Sequence, residues 1–348
     1  MVSWWKKWSA ELTPGFLGAL VLAAGFMAFV AWDQSHWWRV KEDYGFGWLV
    51  PAFVAFVVYD RGAKIRAAVQ ACAAPGSARA GGLARWTLRI GAGAALALGA
   101  VMFLLGAFYR AGAGSSQPGT LAITIGMIGI VLPLLFLNSP ENGGIGGRAE
   151  PAFAEAVADG PVPPSPSAQA GLFDDARVRL VLLFIFPVLV WLVSAPMVSV
   201  VESQLNLFLL RKVVTVVSGV FDLLGLPIEQ QGNVLVLPNG SVGVEDACSG
   251  IRSLTGCLFA GSFLAAVFLD KLWKKIALVA AAMVLAFLTN LIRGLFLTGW
   301  AYHYGSRAIE GTVHDVAGYS VLGLTVIGLL CLLPLFNFRL RETEEGSS

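Results

Sequence analysis

Three residues with complementary chemistry stand near the ends of three consecutive apolar stretches: Cys248, Arg293 and His314. A cysteine thiolate is a strong nucleophile, and a helix N-terminus or a nearby cation favours that ionised form. An imidazole takes and returns a proton near neutral pH, and a guanidinium stabilises the oxyanion of a tetrahedral intermediate. Together these residue types predict acyl transfer through a thioester.

Each of these residues also has a plainer interpretation. A buried free cysteine is commonly just a small hydrophobic side chain. Arg293 could pair with a carboxylate or with backbone carbonyls between helices, and His314 could be a capping or hydrogen-bonding residue at the membrane interface. Arg252, four residues beyond Cys248, is either a second cation at the site or a contact to a phospholipid headgroup. We favour catalysis because Cys, Arg and His are expected at one level.

The composition predicts a membrane setting for these residues. Of the 348 residues, 57% are hydrophobic and 13% are charged, against about 45–50% and 25% in ordinary soluble domains. A formal charge of +2 is too small to bind nucleic acid by counterion release. We therefore predict an all-α polytopic membrane protein, a single integral membrane domain over residues 1–348. Apolar runs bounded by charges predict about eight spans, near residues 15–32, 45–59, 87–109, 118–138, 180–201, 251–269, 276–298 and 314–336.

The distribution of basic residues predicts the orientation of these spans. Segments on the N-terminal side hold 16 Lys and Arg, whereas segments on the other side hold 6, so both termini are predicted to be cytoplasmic. At 1.5 Å per residue, Cys248, Arg293 and His314 lie about 33, 27 and 37 Å from the cytoplasmic ends of their helices. All three are therefore expected at the extracytoplasmic face.

Three further segments are expected around these helices. Residues 139–179 are rich in Gly, Pro, Ala and Ser and predict a flexible cytoplasmic linker. Residues 202–247 predict an extracytoplasmic cap: a helix on the membrane surface through Leu224, then a β-hairpin that turns at Asn239-Gly240. Residues 248–336 then form a catalytic three-helix region. Helix-packing contacts are expected at four glycines, Gly91, Gly93, Gly99 and Gly106.

The sequence predicts neither a metal nor a cofactor. No HExxH occurs and only three His are present, the four cysteines form no CxxC pair, and GxSxG and Walker motifs do not occur. Cys72, Cys257 and Cys331 are placed too far from Cys248 to pair with it, so a free thiol on an oxidising face calls for a functional explanation. The rival interpretations are a transporter with Arg293 and His314 as gating groups, and a noncatalytic envelope-assembly scaffold.

At these residues the sequence resembles the exosortase and archaeosortase family, which are polytopic membrane cysteine transpeptidases. The likeness lies in three boxes, Ala247 to Ser253 (ACSGIRS), Asn290 to Arg293 (NLIR) and His314 to Gly318 (HDVAG), in the family's order and spacing. The segment Tyr44 to Gly47 (YGFG) and the hairpin of the cap also resemble family segments.

The resemblance implies a role for each matching residue. Cys248 would be the nucleophile, Arg293 the positioning or oxyanion residue, and His314 the general acid and base, with Ser249, Gly250, Arg252 and Asn290 in support. The substrates would be exported proteins with a C-terminal sorting signal (PEP-CTERM-like): a short motif, one membrane helix and a basic cytoplasmic end. Cleavage would occur at the outer face of a bacterial inner membrane. The residues leave the acceptor open among lipid, polysaccharide and water.

Overall fold

The computed structural model describes residues 12–74, 77, 79–140, 173, 175–243, 250–269 and 271–337. Over these residues the chain forms ten α-helices, two 3₁₀ helices and three short strands. The α-helices are α1 (Pro14–Val40), α2 (Val50–Asp60), α3 (Gly62–Ala73), α4 (Gly82–Ala113), α5 (Gln117–Leu137), α6 (Ala176–Ser194), α7 (Ser199–Leu223), α8 (Gly250–Phe268), α9 (Leu272–Tyr304) and α10 (Thr312–Asn337). The 3₁₀ helices are Glu42–Leu49 and Ser306–Ile309, and the strands are β1 (Glu229–Gln231), β2 (Val234–Leu237) and β3 (Gly240–Gly243).

The hydropathy of these helices confirms the polytopic membrane fold. Seven described helices are long and apolar enough to cross a membrane, and the number is eight if the bent pair Glu42–Asp60 and Gly62–Ala73 counts as one span. The pair bends by 56°, which explains why the predicted span at 45–59 was short. The predicted span at 251–269 corresponds to α8. The described apolar part of this helix, Ser253–Phe268, is shorter than the seven helices counted above. The prediction of an all-α fold with about eight spans is therefore confirmed.

Two predicted boundaries are wrong around Pro196. The span predicted over 180–201 ends at Ser194, where Ala195 adopts an extended conformation with ψ of 138°. A residue that precedes proline is disfavoured in the helical region, so the helix ends there. The next helix, α7, begins at Ser199, before the predicted start of the cap at residue 202. This helix is also long and apolar enough to cross a membrane. Its expected position on the membrane surface stays a prediction.

The predicted linker over 139–179 is also too long at its C-terminal end. Helix α6 begins at Ala176 because Asp175 caps it, accepting a hydrogen bond of 2.9 Å from the backbone nitrogen of Arg177. Burial raises the pKa of the Asp175 carboxyl, but hydrogen bonds from Arg177 and from the backbone of Ala80 outweigh it, and the net pKa is lowered. Residues 141–172 of the predicted linker lie outside the described residues.

The chain packs as two compact units. The first unit comprises Met1–His36 and Leu49–Ala195, and the second comprises Trp37–Trp48 and Pro196–Ser348. In the first unit, a buried polar network joins three helices. Gln34 on α1 donates to the hydroxyl of Thr124 on α5 at 2.9 Å, and Ser194 on α6 donates to the amide oxygen of Gln34 at 2.7 Å. Such interhelical hydrogen bonds fix the register of helices where apolar packing alone does not.

Helices α4 and α5 approach each other so closely that glycine is required at their contacts. A Cβ on Gly99 would lie 2.5 Å from the carbonyl carbon of Gly129, and a Cβ on Gly126 would lie 2.4 Å from the backbone nitrogen of Phe103. A Cβ on Gly106 would also meet backbone, at 2.8 Å. The expected packing contacts are confirmed for Gly99 and Gly106.

The expectation is wrong for Gly91 and Gly93, because a Cβ at either position would meet nothing within 4 Å. This difference provides a matched pair of substitutions on α4. We expect Gly99→Ala to destabilise the protein by about 1–3 kcal/mol through overpacking, whereas Gly93→Ala carries the same change in helix propensity without a clash. Unfolding of the two purified variants in detergent measures the difference, and equal stability would contradict the close contact.

The second unit contains the cap, and its core lies between α7, the sheet and α9. Strands β1, β2 and β3 pair in order as antiparallel neighbours. The predicted hairpin is confirmed, but its turn is Pro238-Asn239, one residue earlier than predicted, because Leu237 pairs with Gly240, the first residue of β3. The strand β1 was not predicted, because its residues Glu229 to Gln231 are polar and exposed. The buried cluster comprises Leu210, Val213, Val214, Val217, Phe221, Leu235, Leu237, Val242, Leu297, Ala301 and Ala317.

Helix α9 extends further than predicted, and this extension carries the cap. The predicted span ended at residue 298, but the helix continues to Tyr304. Leu297 and Ala301 are fully buried in the cap core, and Asn239 at the hairpin turn donates to the carbonyl of Tyr302 at 3.2 Å. The helix is therefore continuous from the predicted membrane span into the cap, and Arg293 lies 11 residues before its end, or about 16 Å at 1.5 Å per residue.

Candidate active site

Helices α9 and α10 bring Arg293 and His314 into direct contact. Nη2 of Arg293 lies 3.0 Å from Nε2 of His314. A guanidinium only donates hydrogen bonds, so Nε2 is the acceptor and the proton of this neutral imidazole is assigned to Nδ1. Nδ1 lies 3.5 Å from a carboxylate oxygen of Asp315, which is consistent with that tautomer. Arg293 is buried and His314 is partly exposed.

The packing of α9 against α10 explains this contact. One turn below Arg293, the hydroxyl of Thr289 lies 2.9 Å from the hydroxyl of Thr325 on α10. Gly318, one turn after His314, lies beside the guanidinium: a Cβ there would be in van der Waals contact with Nη2 of Arg293, at 3.5 Å. A polar contact below and a glycine beside the guanidinium therefore place Arg293 against the first turns of α10.

The Arg293 and His314 pair lines a cavity of about 430 Å³ in the second unit. We call it the catalytic cavity, after the catalysis that the sequence predicts for Arg293 and His314. Its other walls come from the 3₁₀ helix Glu42–Leu49, from the first turns of α8, and from α10. The lining residues are Glu42, Asp43, Phe46, Ser253, Gly256, Arg293, His314, Asp315, Gly318, Tyr319 and Leu322. Its volume lies within the range of about 300–1,000 Å³ that is typical of ligand pockets.

The 3₁₀ helix at 42–49 is held in this unit by specific contacts. The hydroxyl of Tyr44 accepts a hydrogen bond of 3.0 Å from the backbone nitrogen of Met197. The hydroxyl of Thr255 donates to the backbone carbonyl of Asp43 at 3.0 Å. Phe46 stacks on Phe259 with ring centroids 5.2 Å apart. These contacts fix the wall of the catalytic cavity that faces α8.

Glycine at position 47 is required for the same arrangement. A Cβ at Gly47 would lie only 2.2 Å from the indole nitrogen of Trp38, so any side chain there would displace the ring or the backbone. The predicted YGFG segment thus contributes a buried Tyr, a stacked Phe and a close backbone contact. The structure gives these residues a role in shaping the cavity wall.

Other predicted site residues fall only partly on described residues. Cys248 and Ser249 lie outside the described residues, so the structure gives no distance from the Cys248 thiol to Arg293 or His314. Gly250 is the first residue of α8, and the Arg252 side chain is not among the described ones. Asn290 lies on α9, buried and three residues before Arg293. Among the predicted residues, the structure therefore places Arg293 and His314 together and Asn290 on the adjoining turn.

Sequence reasoning missed the acidic residues of the cavity. Glu42 and Asp43 come from a segment more than 200 residues before α8, and Asp315 follows His314 directly. A usable signal existed for the first two, since this pair of carboxylates stands directly before the YGFG segment. Among the described residues, no group of three or more His, Cys, Asp and Glu could hold a metal ion.

The helices and this polar cavity together define a polytopic membrane protein with a polar site between its helices. Residues 176–331 match the family described as transmembrane exosortase. This match covers somewhat less than half of the chain and supports an exosortase family assignment for that part. The match runs from the start of α6 into α10 but does not include the YGFG segment, whose resemblance stays a prediction. No curated protein and no solved structure matches the chain.

Proposed function

We propose that this protein is a membrane cysteine protease and transpeptidase that cleaves C-terminal sorting signals (PEP-CTERM-like) of exported proteins. The observation that carries this proposal is the direct contact of Arg293 with His314 on the wall of a cavity. Both residues lie in the part of the chain that matches the exosortase family, and so does Cys248. Cleavage takes place at the outer face of a bacterial inner membrane. The excess of basic residues in the loops on the N-terminal side favours this orientation, because such loops stay in the cytoplasm.

The proposed acylation step uses each group at a defined atom. In the resting state, Nε2 of His314 accepts from Arg293 and is therefore not yet available as a base. When the scissile carbonyl enters, the guanidinium turns to its oxygen, and Nε2 is released to take the Cys248 thiol proton. The thiolate attacks the carbonyl carbon, and Arg293 stabilises the oxyanion.

Collapse of this intermediate completes the exchange of bonds. The carbon–nitrogen bond of the peptide breaks, and His314 returns the proton to the leaving amine. The leaving fragment is the membrane helix with its basic cytoplasmic end, and the acyl group stays on Cys248 as a thioester. An acceptor nucleophile or water then releases the exported protein.

Trapping of the thioester tests this function. We expect mass spectrometry of exported proteins to find shortened C-termini only in cells that contain the protein. Membranes incubated with hydroxylamine should then yield a hydroxamate at the new C-terminus, because this nucleophile intercepts thioesters. If the C-termini stay full-length with and without the protein, the enzyme proposal fails, and the transporter or scaffold interpretation takes its place.

A further inference from the structure

The catalytic cavity changes from polar to apolar along helix α10. The Arg293 and His314 pair lies at its polar end. Tyr319 and Leu322 line the cavity more than one and more than two turns further along the same helix. Leu322 stands eight residues beyond His314, or about 12 Å at 1.5 Å per residue. The cavity therefore extends from the pair toward the middle of a helix that is long and apolar enough to cross a membrane.

Three elements enclose the apolar end of this cavity. Tyr319 and Leu322 belong to α10, Gly256 to α8, and Phe46 to the 3₁₀ helix Glu42–Leu49. A Cβ on Gly256 would lie 3.5 Å from a methyl carbon of Leu322, so the space beside Gly256 is bounded by that side chain. Phe46 is held in place by its stacking on Phe259. We call this end of the cavity the apolar pocket.

The apolar pocket is open at the side of the molecule. Tyr319 is 78% exposed and Leu322 is 43% exposed in the part of the chain that the structure describes. In a helix that crosses a membrane, side chains exposed at this depth face the acyl chains of the bilayer. A peptide segment that already lies in the membrane therefore reaches the pocket sideways, without first passing into water.

We propose that the apolar pocket binds the first apolar side chain after the scissile bond, at the start of the substrate's membrane helix, and that Gly256 and Leu322 limit its size. This inference rests on the proposed function, in which the leaving fragment is a membrane helix. One turn of a helix about 10–12 Å wide and 5.4 Å long would already fill the whole cavity of about 430 Å³. The helix therefore lies along the exposed side of α10, and only a side chain enters the pocket.

The direction of the pocket fits the direction of the substrate. The scissile carbonyl lies at Arg293, and the residues that follow it run into the membrane toward their basic cytoplasmic end. Helix α10 runs the same way from His314, because its C-terminal end is predicted to be cytoplasmic. Polarity also changes in the same order on both sides of the contact. A polar motif precedes an apolar helix in the substrate, and the polar pair precedes the apolar pocket in the enzyme.

An exchange of side-chain sizes tests the pocket. The full-length protein in lipid nanodiscs receives a mixture of three peptides that contain a cleavage site found in the processing experiment and the membrane helix after it. They differ only in the first apolar residue after the scissile bond, which is alanine, leucine or tryptophan. Mass spectrometry of the products gives their relative kcat/KM. We expect the leucine peptide to exceed the alanine peptide at least about tenfold, because even one methylene in a hydrophobic pocket changes this ratio about 10- to 200-fold.

Substitutions in the pocket should change this preference in opposite directions. Gly256→Leu fills the pocket, so the alanine peptide should become the preferred one. Leu322→Ala widens it and should raise the tryptophan peptide relative to the leucine peptide at least about tenfold. Leu324→Ala is the matched control, because this exposed leucine of α10 is not among the residues that line the described cavity. A ratio between peptides in one mixture does not depend on how much of each variant is folded.

Failure of this inference is distinguishable from failure of the proposed function. If the peptides are cleaved with the same order of preference by Gly256→Leu, Leu322→Ala and the unmodified protein, the pocket is disproved as a subsite while the cysteine protease stands. An equal loss for all three peptides would also overturn it, because that loss indicates packing. Should Gly256→Leu fail to fold, Leu322→Ala alone decides. If no peptide is cleaved by the unmodified protein, the proposed function fails, and the inference fails with it.

Discussion

Cys248→Ala should abolish processing of exported proteins, with a loss of at least about a thousandfold, because the proposed acyl intermediate forms on this thiol. Cys248→Ser should lose nearly as much, since a hydroxyl in the place of the thiol is a far weaker nucleophile at neutral pH. Mass spectrometry of the substrate C-termini in cells measures both variants. The membrane level of each variant is measured beside it, so that loss of protein is not mistaken for loss of catalysis.

Cys331→Ala is the matched control for this prediction. Cys331 on α10 is a free and exposed thiol, and its removal should leave processing unchanged. A second thiol, Cys257, is buried on α8 and packs against Leu254 and Ala286, so its substitution would mix packing with chemistry. Normal processing by Cys248→Ser would contradict the thioester and agree with a scaffold, for which the thiol is dispensable.

The level of Arg293 and His314 could be predicted from the sequence, but their contact could not. Counting helical rise from the basic residues at the cytoplasmic ends placed both groups near one face. The 3.0 Å contact between their nitrogens depends on how α9 and α10 are rotated about their axes. The hydrogen bond between Thr289 and Thr325 favours that rotation, and it has no signature in hydropathy.

The acidic wall of the catalytic cavity illustrates the same limit over a longer distance. Asp43 reaches α8 through a hydrogen bond that spans 212 residues of sequence. Hydrophobic periodicity indicates which residues are buried, but it does not indicate which helices and strands pack against each other. The hairpin, by contrast, was predictable because a two-residue turn is a local property of the backbone, although the turn lies at Pro238 and Asn239, one residue before the predicted position.

Arg293→Ala should lower processing by about a hundredfold to a thousandfold, as removal of an oxyanion donor does in other acyl-transfer enzymes. Arg293→Lys should not restore it, because an ammonium lacks the planar fork that bonds His314 and then the carbonyl oxygen. Arg307→Ala, at an exposed position in the 3₁₀ helix Ser306–Ile309, removes the same charge and should leave processing unchanged. Equal losses at both arginines would indicate a general electrostatic effect.

Two further comparisons separate the chemistry of Arg293 from its packing. Gly318→Leu should displace the guanidinium and lower processing strongly. Gly318→Ala adds only a contact at 3.5 Å. Gly323→Leu is the control, because a Cβ at position 323 meets nothing within 4 Å. The double variant Arg293→Ala and His314→Ala should lose little more than either single variant, because residues that act as one unit are not additive. Additive losses would mean that each acts alone, and the 3.0 Å contact would then be structural.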